Sequence, residues 1–72
     1  MQKYVEKMIT EQKDLEGKLK RAKNAIEKNP FDMNKTQKML LAQQVKHMES
    51  YLDVLNQRID YETKEKPNEV NY

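Results

Sequence analysis

Gln44, Tyr51 and Arg58 stand seven residues apart, and in a helix that spacing returns to nearly the same face two turns on. A phenol, a guanidinium and an amide in one row can do recognisable chemistry. The ring of Tyr51 can stack on a planar base, Arg58 can fork onto phosphate oxygens, and Gln44 can both donate and accept. Upstream, Tyr4, Glu11 and Lys18 repeat the same spacing. If the chain doubles back near Phe31, residue i meets roughly residue 62 − i in an antiparallel pair. That rule places Tyr4 near Arg58, Glu11 near Tyr51 and Lys18 near Gln44. Two readings of these pairs are open. They are register-setting clasps, each worth under about 1 kcal/mol when exposed. Or they form a polar pocket, with Tyr51 on a base, Arg58, Lys18 and Arg21 holding phosphates, and Gln44 making a polar contact.

The elements that position this row follow from apolar spacing. Leu41, Met48 and Leu55 recur every seven residues, and so do Val45, Leu52 and Ile59. In heptad letters these are d and a positions, the seam of a helix that needs a partner helix. The first half repeats the pattern less fully: Val5, Gln12, Leu19 and Ile26 at a, with Met8, Leu15 and Ala22 at d. Gln12 either fixes the register from inside the seam or is solvated at its edge. Gly17 falls at f, on the outer face, where it costs roughly 0.5–1 kcal/mol relative to Ala.

Between the halves, Asn29-Pro30 ends the first helix, because Pro disfavours the α conformation before it and Asn tolerates a left-handed one. Phe31 is expected to plug the end of the hairpin against Ile26 and Leu41. Asp32 or Asn34 starts the second helix, and Asn34 with Gln37 makes a capping-box pattern. The expectation is an all-α, antiparallel, coiled-coil-like two-helix hairpin over residues 1–62, assembling as a homo-oligomeric bundle. Its first helix spans 2–28, its turn 29–33 and its second helix 34–62. Residues 63–72, polar and carrying Pro67, are expected to be a flexible tail.

The second helix has more apolar residues than one seam uses. Leu40, His47, Val54 and Tyr61 recur at c, well around from a and d. A hairpin partner covers one stripe, so the second must face water or another chain. These four residues are the expected oligomer interface; His47 is expected to be half-buried in it, ahead of the alternatives of sensing pH or touching a ligand.

Composition narrows the function. Seventy-two residues make one small domain, whose core alone rarely supplies more than ~3–5 kcal/mol. There is no Cys and only one His, so disulfides, thiolate zinc sites and His-rich metal sites are excluded and oligomerisation is left to stabilise the fold. No cofactor is implied. A net charge of +2 is too balanced to mark a DNA or membrane binder. Lys18, Lys20, Arg21, Lys23 and Lys28 do concentrate positive charge on the first helix. The segment MQKYVEKMIT has no apolar h-region, and no run approaches a membrane span. A cytoplasmic protein is expected. Paired carboxylates need a cleft to shift their acidity, and no phosphate-binding Gly-rich loop or nucleophile elbow is present. An enzyme is not expected.

The second helix also carries a likeness. Leu41, Gln44, Met48, Tyr51, Leu55 and Arg58-Ile59, at these offsets, resemble a family of very small helical-hairpin proteins of tailed bacteriophages, including crAss-like phages. Glu11, Asp14-Leu15 and Lys18-Leu19 are similar to that family's first-helix pattern, and Phe31 stands where an aromatic often follows. The likeness covers residues 4–60; Gly17, Ala22 and Asn29-Pro30 depart from it. It implies a phage accessory protein acting in the bacterial host cytoplasm. Small hairpin phage proteins include sponges that sequester the cyclic nucleotide signals of CBASS and Thoeris defence between protomers, using Tyr, Lys and Arg. This chain is similar to them in size and architecture, without their own sequence pattern. The implied partners are itself and a cyclic oligonucleotide or ADP-ribose-type signal. The alternatives are a helical protein that binds and inhibits a host protein, and a structural phage component with no ligand.

Overall fold

A computed structural model of the chain describes residues 2–64. The tail expected from residue 63 lies almost entirely outside the described residues. Two helices, α1 (Lys3–Lys28) and α2 (Lys35–Thr63), pack against each other as a hairpin. Among the described residues there is no strand. Each helix is roughly 40 Å long at 1.5 Å per residue.

The heptad seam is what the helices bury. Val5, Met8, Leu15 and Leu19 of α1 and Val45 and Leu55 of α2 are buried. Gln12, Ala22, Ile26, Leu41, Met48, Leu52 and Ile59 are half-buried along the same line. Val5, Met8 and Leu55 form a cluster near the open end, with Ile9 and Ile59 packed against it. Leu55, only 1% exposed, is its centre. A two-helix core has one layer, so a residue this enclosed carries a large share of the apolar burial.

The turn is built by Asn29. Its backbone is left-handed (φ 45°), and its N–H donates to the Ala25 carbonyl at 2.8 Å, closing α1. Its side chain then grips Met33 twice: Oδ1 accepts from the Met33 N–H at 2.7 Å, and Nδ2 donates to the Met33 carbonyl at 3.2 Å. Asp32 takes a second left-handed conformation (φ 52°) and does not cap α2. Asn34 does: its Oδ1 accepts from the Gln37 N–H, and Gln37 Oε1 accepts from the Asn34 N–H, both at 2.8 Å.

This closure corrects the expected role of Phe31. Asn29 draws Met33, not Phe31, toward the end of the hairpin. Met33 is half-buried, while Phe31 is 77% exposed. The half-buried residue of the turn is Met33, two positions on from Phe31, in a connection where Asn29 and Asp32, three residues apart, are both left-handed.

The pairing rule also needs correction. The Tyr4 hydroxyl donates to the Glu62 carboxylate, four residues beyond the expected Arg58. Gln12 Nε2 donates to Asn56 Oδ1 at 2.6 Å, and Lys23 Nζ pairs with Glu49 at 2.7 Å. Each partner lies four to ten residues farther along α2 than 62 − i. The rule counted Cα heights, but helical side chains lean toward their own N-terminus. In an antiparallel pair both leans act in the same sense and raise the sum of paired residue numbers. Long side chains such as Lys23 and Glu49 raise it most. Gln12 therefore sits at the edge of the seam and still reaches across it.

Candidate functional site

The cross-helix clasps leave a gap midway along one edge of the hairpin. Gln12–Asn56 and Lys23–Glu49 bind the edge carrying the e positions, and Tyr4–Glu62 binds the open end. On the opposite edge, where the g rows face each other, a shallow hollow of about 350 Å³ opens. Its floor includes Leu15 of the seam. Its α1 wall is Lys7, Thr10, Glu11, Asp14 and Lys18, and Tyr51 stands across from them on α2.

Helical spacing explains the wall. Lys7, Asp14 and Glu11, Lys18 are two rows with a spacing of seven, displaced by four, so one continuous α1 surface presents them all. Tyr51 is 47% exposed, so its side chain is accessible rather than sealed in the core. The Thr10 hydroxyl is committed to its own helix, donating to the Glu6 carbonyl at 3.1 Å. The remaining polar groups of the α1 wall are two ammoniums and two carboxylates, balanced in formal charge. An aromatic face, cationic donors and anionic acceptors thus stand within one small space. That set can hold a planar ring, an anion and hydroxyl groups together.

The residues singled out from the sequence fall into three groups. Lys18 and Tyr51 come together in the hollow, with Glu11 beside them as the row predicted. Gln44 and Arg58 lie one heptad to either side of Tyr51, exposed on α2 and outside the hollow's lining. Arg21 is on the outer face of α1 with Lys20, Lys23, Asn24 and Glu27. Its guanidinium folds back over Gly17, so a Cβ added to Gly17 would sit 3.2 Å from Arg21 Nη1. Lys7 and Asp14 also line the hollow, beyond the residues to which the g-row spacing points; they form the c row of α1, beside that g row. The stripe of Leu40, His47, Val54 and Tyr61 is exposed along α2. Among the described residues no cluster of His, Cys, Asp or Glu is suited to hold a metal, and no helix is long and apolar enough to cross a membrane.

The fold defines a small helical-hairpin protein with an open, polar-walled hollow on one edge. The chain belongs to the Sequestin family, whose model matches residues 2–61. The family's name denotes sequestration, a binding rather than a catalytic role. No curated protein and no solved structure matches the chain.

Proposed function

We propose that this protein binds and withholds a nucleotide-derived signal, of the cyclic oligonucleotide or ADP-ribose type, without chemically altering it. In this reading it is a phage accessory protein that counters host defence from the bacterial cytoplasm. The observation that carries the reading is the make-up of the hollow. Tyr51 offers a stacking face for a base, Lys7 and Lys18 offer charge-assisted donors for phosphate, and Glu11 and Asp14 offer acceptors for ribose hydroxyls. Those are the three chemical parts of a nucleotide. Membership of a family named for sequestration supports the same role. A single open hollow holds a ligand weakly, so the reading includes a homo-oligomer that encloses it at protomer boundaries. Arg58, Gln44 and Arg21 then add contacts from the rim.

Thermal melting of the purified protein against a panel of cyclic di- and trinucleotides and ADP-ribose derivatives tests this. A ligand at ~100 times its dissociation constant stabilises the fold by about 2.7 kcal/mol, a rise of many degrees in a domain of this size. A shift with one ligand class is the expected result. No shift across the panel, with the oligomer intact, overturns the reading.

A second reading, docking on and inhibiting a host protein, draws on Phe31 in the turn and Met39 early in α2, each exposed. It predicts a stoichiometric host protein in a pulldown that Phe31→Ala abolishes.

A further inference from the structure

The outer surface of α2 is unusual for its lack of charge. From Thr36 to Tyr61, the c row and its neighbours on either side, f and g, supply twelve exposed positions. Arg58 is the only Lys, Arg, Asp or Glu among them, in a chain that is 36% charged. The b and e rows of the same stretch carry Lys46, Asp53, Asp60 and Glu49. Depletion of charge around an apolar centre is the compositional mark of an interface core. Here the centre is apolar and long: Leu40 and Val54 are 55% and 54% exposed. The stripe from Leu40 to Tyr61 runs roughly 30 Å at 1.5 Å per residue.

The stripe is also complementary to itself. A spacing of seven keeps the stripe facing another helix when the two supercoil gently around each other. In antiparallel pairing, Leu40 meets the copy's Tyr61 and His47 meets the copy's Val54, so each larger residue faces a smaller one. Only this register engages all four positions; a slip of seven leaves residues of both copies unmatched. The same rotation brings f to f and g to g. Ser50 and Tyr51 then face their own copies at the centre, and Arg58 faces the copy's Gln44, an acceptor for its guanidinium. Parallel pairing sets His47 against His47 and gives no such match.

We infer that a second copy of this chain covers the c-centred face of α2, antiparallel to it, about a two-fold axis passing between Ser50 and Tyr51. The inference rests on the nucleotide-binding reading and completes its site. Gln44 and Arg58 lie 14 residues apart on one α2, roughly 20 Å, too far to touch one small ligand with Tyr51. The copy places its Gln44 beside Arg58 and its Tyr51 beside Tyr51. The g edge that carries the hollow lies in the angle between α1 and the arriving helix, so the copy walls the hollow's open side.

The chain has no Cys, so single substitutions report the pairing without background. Under mild oxidation without ligand, Ser50→Cys is expected to form a disulfide-linked species at twice the 8.7 kDa chain mass. His47→Cys mixed with Val54→Cys is expected to form a crossed disulfide, while Val54→Cys alone stays reduced. In the antiparallel pair, Val54 and its copy are roughly 10 Å apart along the helix axis, beyond the ~7 Å Cα limit of a disulfide. Self-crosslinking of Val54→Cys shows parallel pairing and overturns the inference. So does a monomer mass for the unsubstituted chain in sedimentation equilibrium, which needs no variant to fold. Because these measurements use no nucleotide, a monomer that still shows a ligand-induced thermal shift refutes the pairing, and with it the enclosure between protomers, and leaves nucleotide binding standing. A crosslinked pair with no thermal shift refutes the nucleotide reading alone.

Discussion

Tyr51→Ala is the sharpest perturbation of the hollow. The ring is 47% exposed and belongs to neither row of the seam, so its loss removes little core burial. Stability of the ligand-free chain is expected to change by less than ~1 kcal/mol at a site this exposed. Binding should suffer more. A base stacked on an aromatic side chain contributes about 1–3 kcal/mol by alanine substitution. At 1.4 kcal/mol per tenfold, that is a rise in Kd of about five- to 150-fold. Tyr51→Phe retains the ring and removes only the hydroxyl, so it should stay within about threefold of the unsubstituted chain if stacking dominates. Lys18→Ala, across the hollow, removes a charge-assisted contact of about 1.5–3 kcal/mol and should weaken binding by a similar factor. Unlike the stacking loss, it should shrink as salt is raised. Isothermal titration calorimetry with the ligand class found by thermal shift measures all three variants. Sedimentation run alongside checks that the oligomer is unchanged, since Tyr51 also lies at the inferred two-fold axis. If Tyr51→Ala binds within twofold of the unsubstituted chain while the oligomer is intact, the hollow is not where the base sits. The assignment of Tyr51, Lys18 and their neighbours then fails together.

Three further predictions test the scaffold. Leu55→Ala, at the most enclosed core position, should cost about 2–5 kcal/mol. Against a core worth ~3–5 kcal/mol, that should leave the chain largely unfolded in far-ultraviolet circular dichroism at dilute concentration. Gly17→Ala should stabilise by about 0.5–1 kcal/mol, visible as a few degrees in Tm, because the group in its way is the movable end of Arg21. A fall in Tm would mean that the Arg21 guanidinium is held against Gly17 by something stronger than packing. Asn34→Ala removes half of the reciprocal cap with Gln37 and should cost ~1 kcal/mol in a urea titration.

The hairpin was legible because one physical signal, apolar residues at alternating intervals of three and four, fixes both the helices and the faces they bury. Val5, Met8, Leu15, Leu19, Val45 and Leu55 are all seam positions and all buried. The cap at Asn34 was legible for a similar reason: it is a local pattern with one geometry. Phe31 was not, because its place depends on Asn29 and Asp32 both turning left-handed, and nothing in residue type alone requires the second turn. The site lies between these cases. Row spacing alone assembles Glu11, Lys18 and Tyr51, but it cannot say whether facing rows touch or stand apart. That is decided by the lean of the side chains. The lean carries Tyr4 past Arg58 to Glu62, and it engages Gln12 and Lys23 on the other edge. With the clasps drawn to the end and to the far edge, the middle of the g edge is left open. The residues that a Cα-level register would pair as clasps then become the walls of a hollow. The same lean acts in the inferred pair of hairpins, but no turn fixes the register between two chains, so the two-fold axis settles at the height where Leu40 meets Tyr61 and His47 meets Val54.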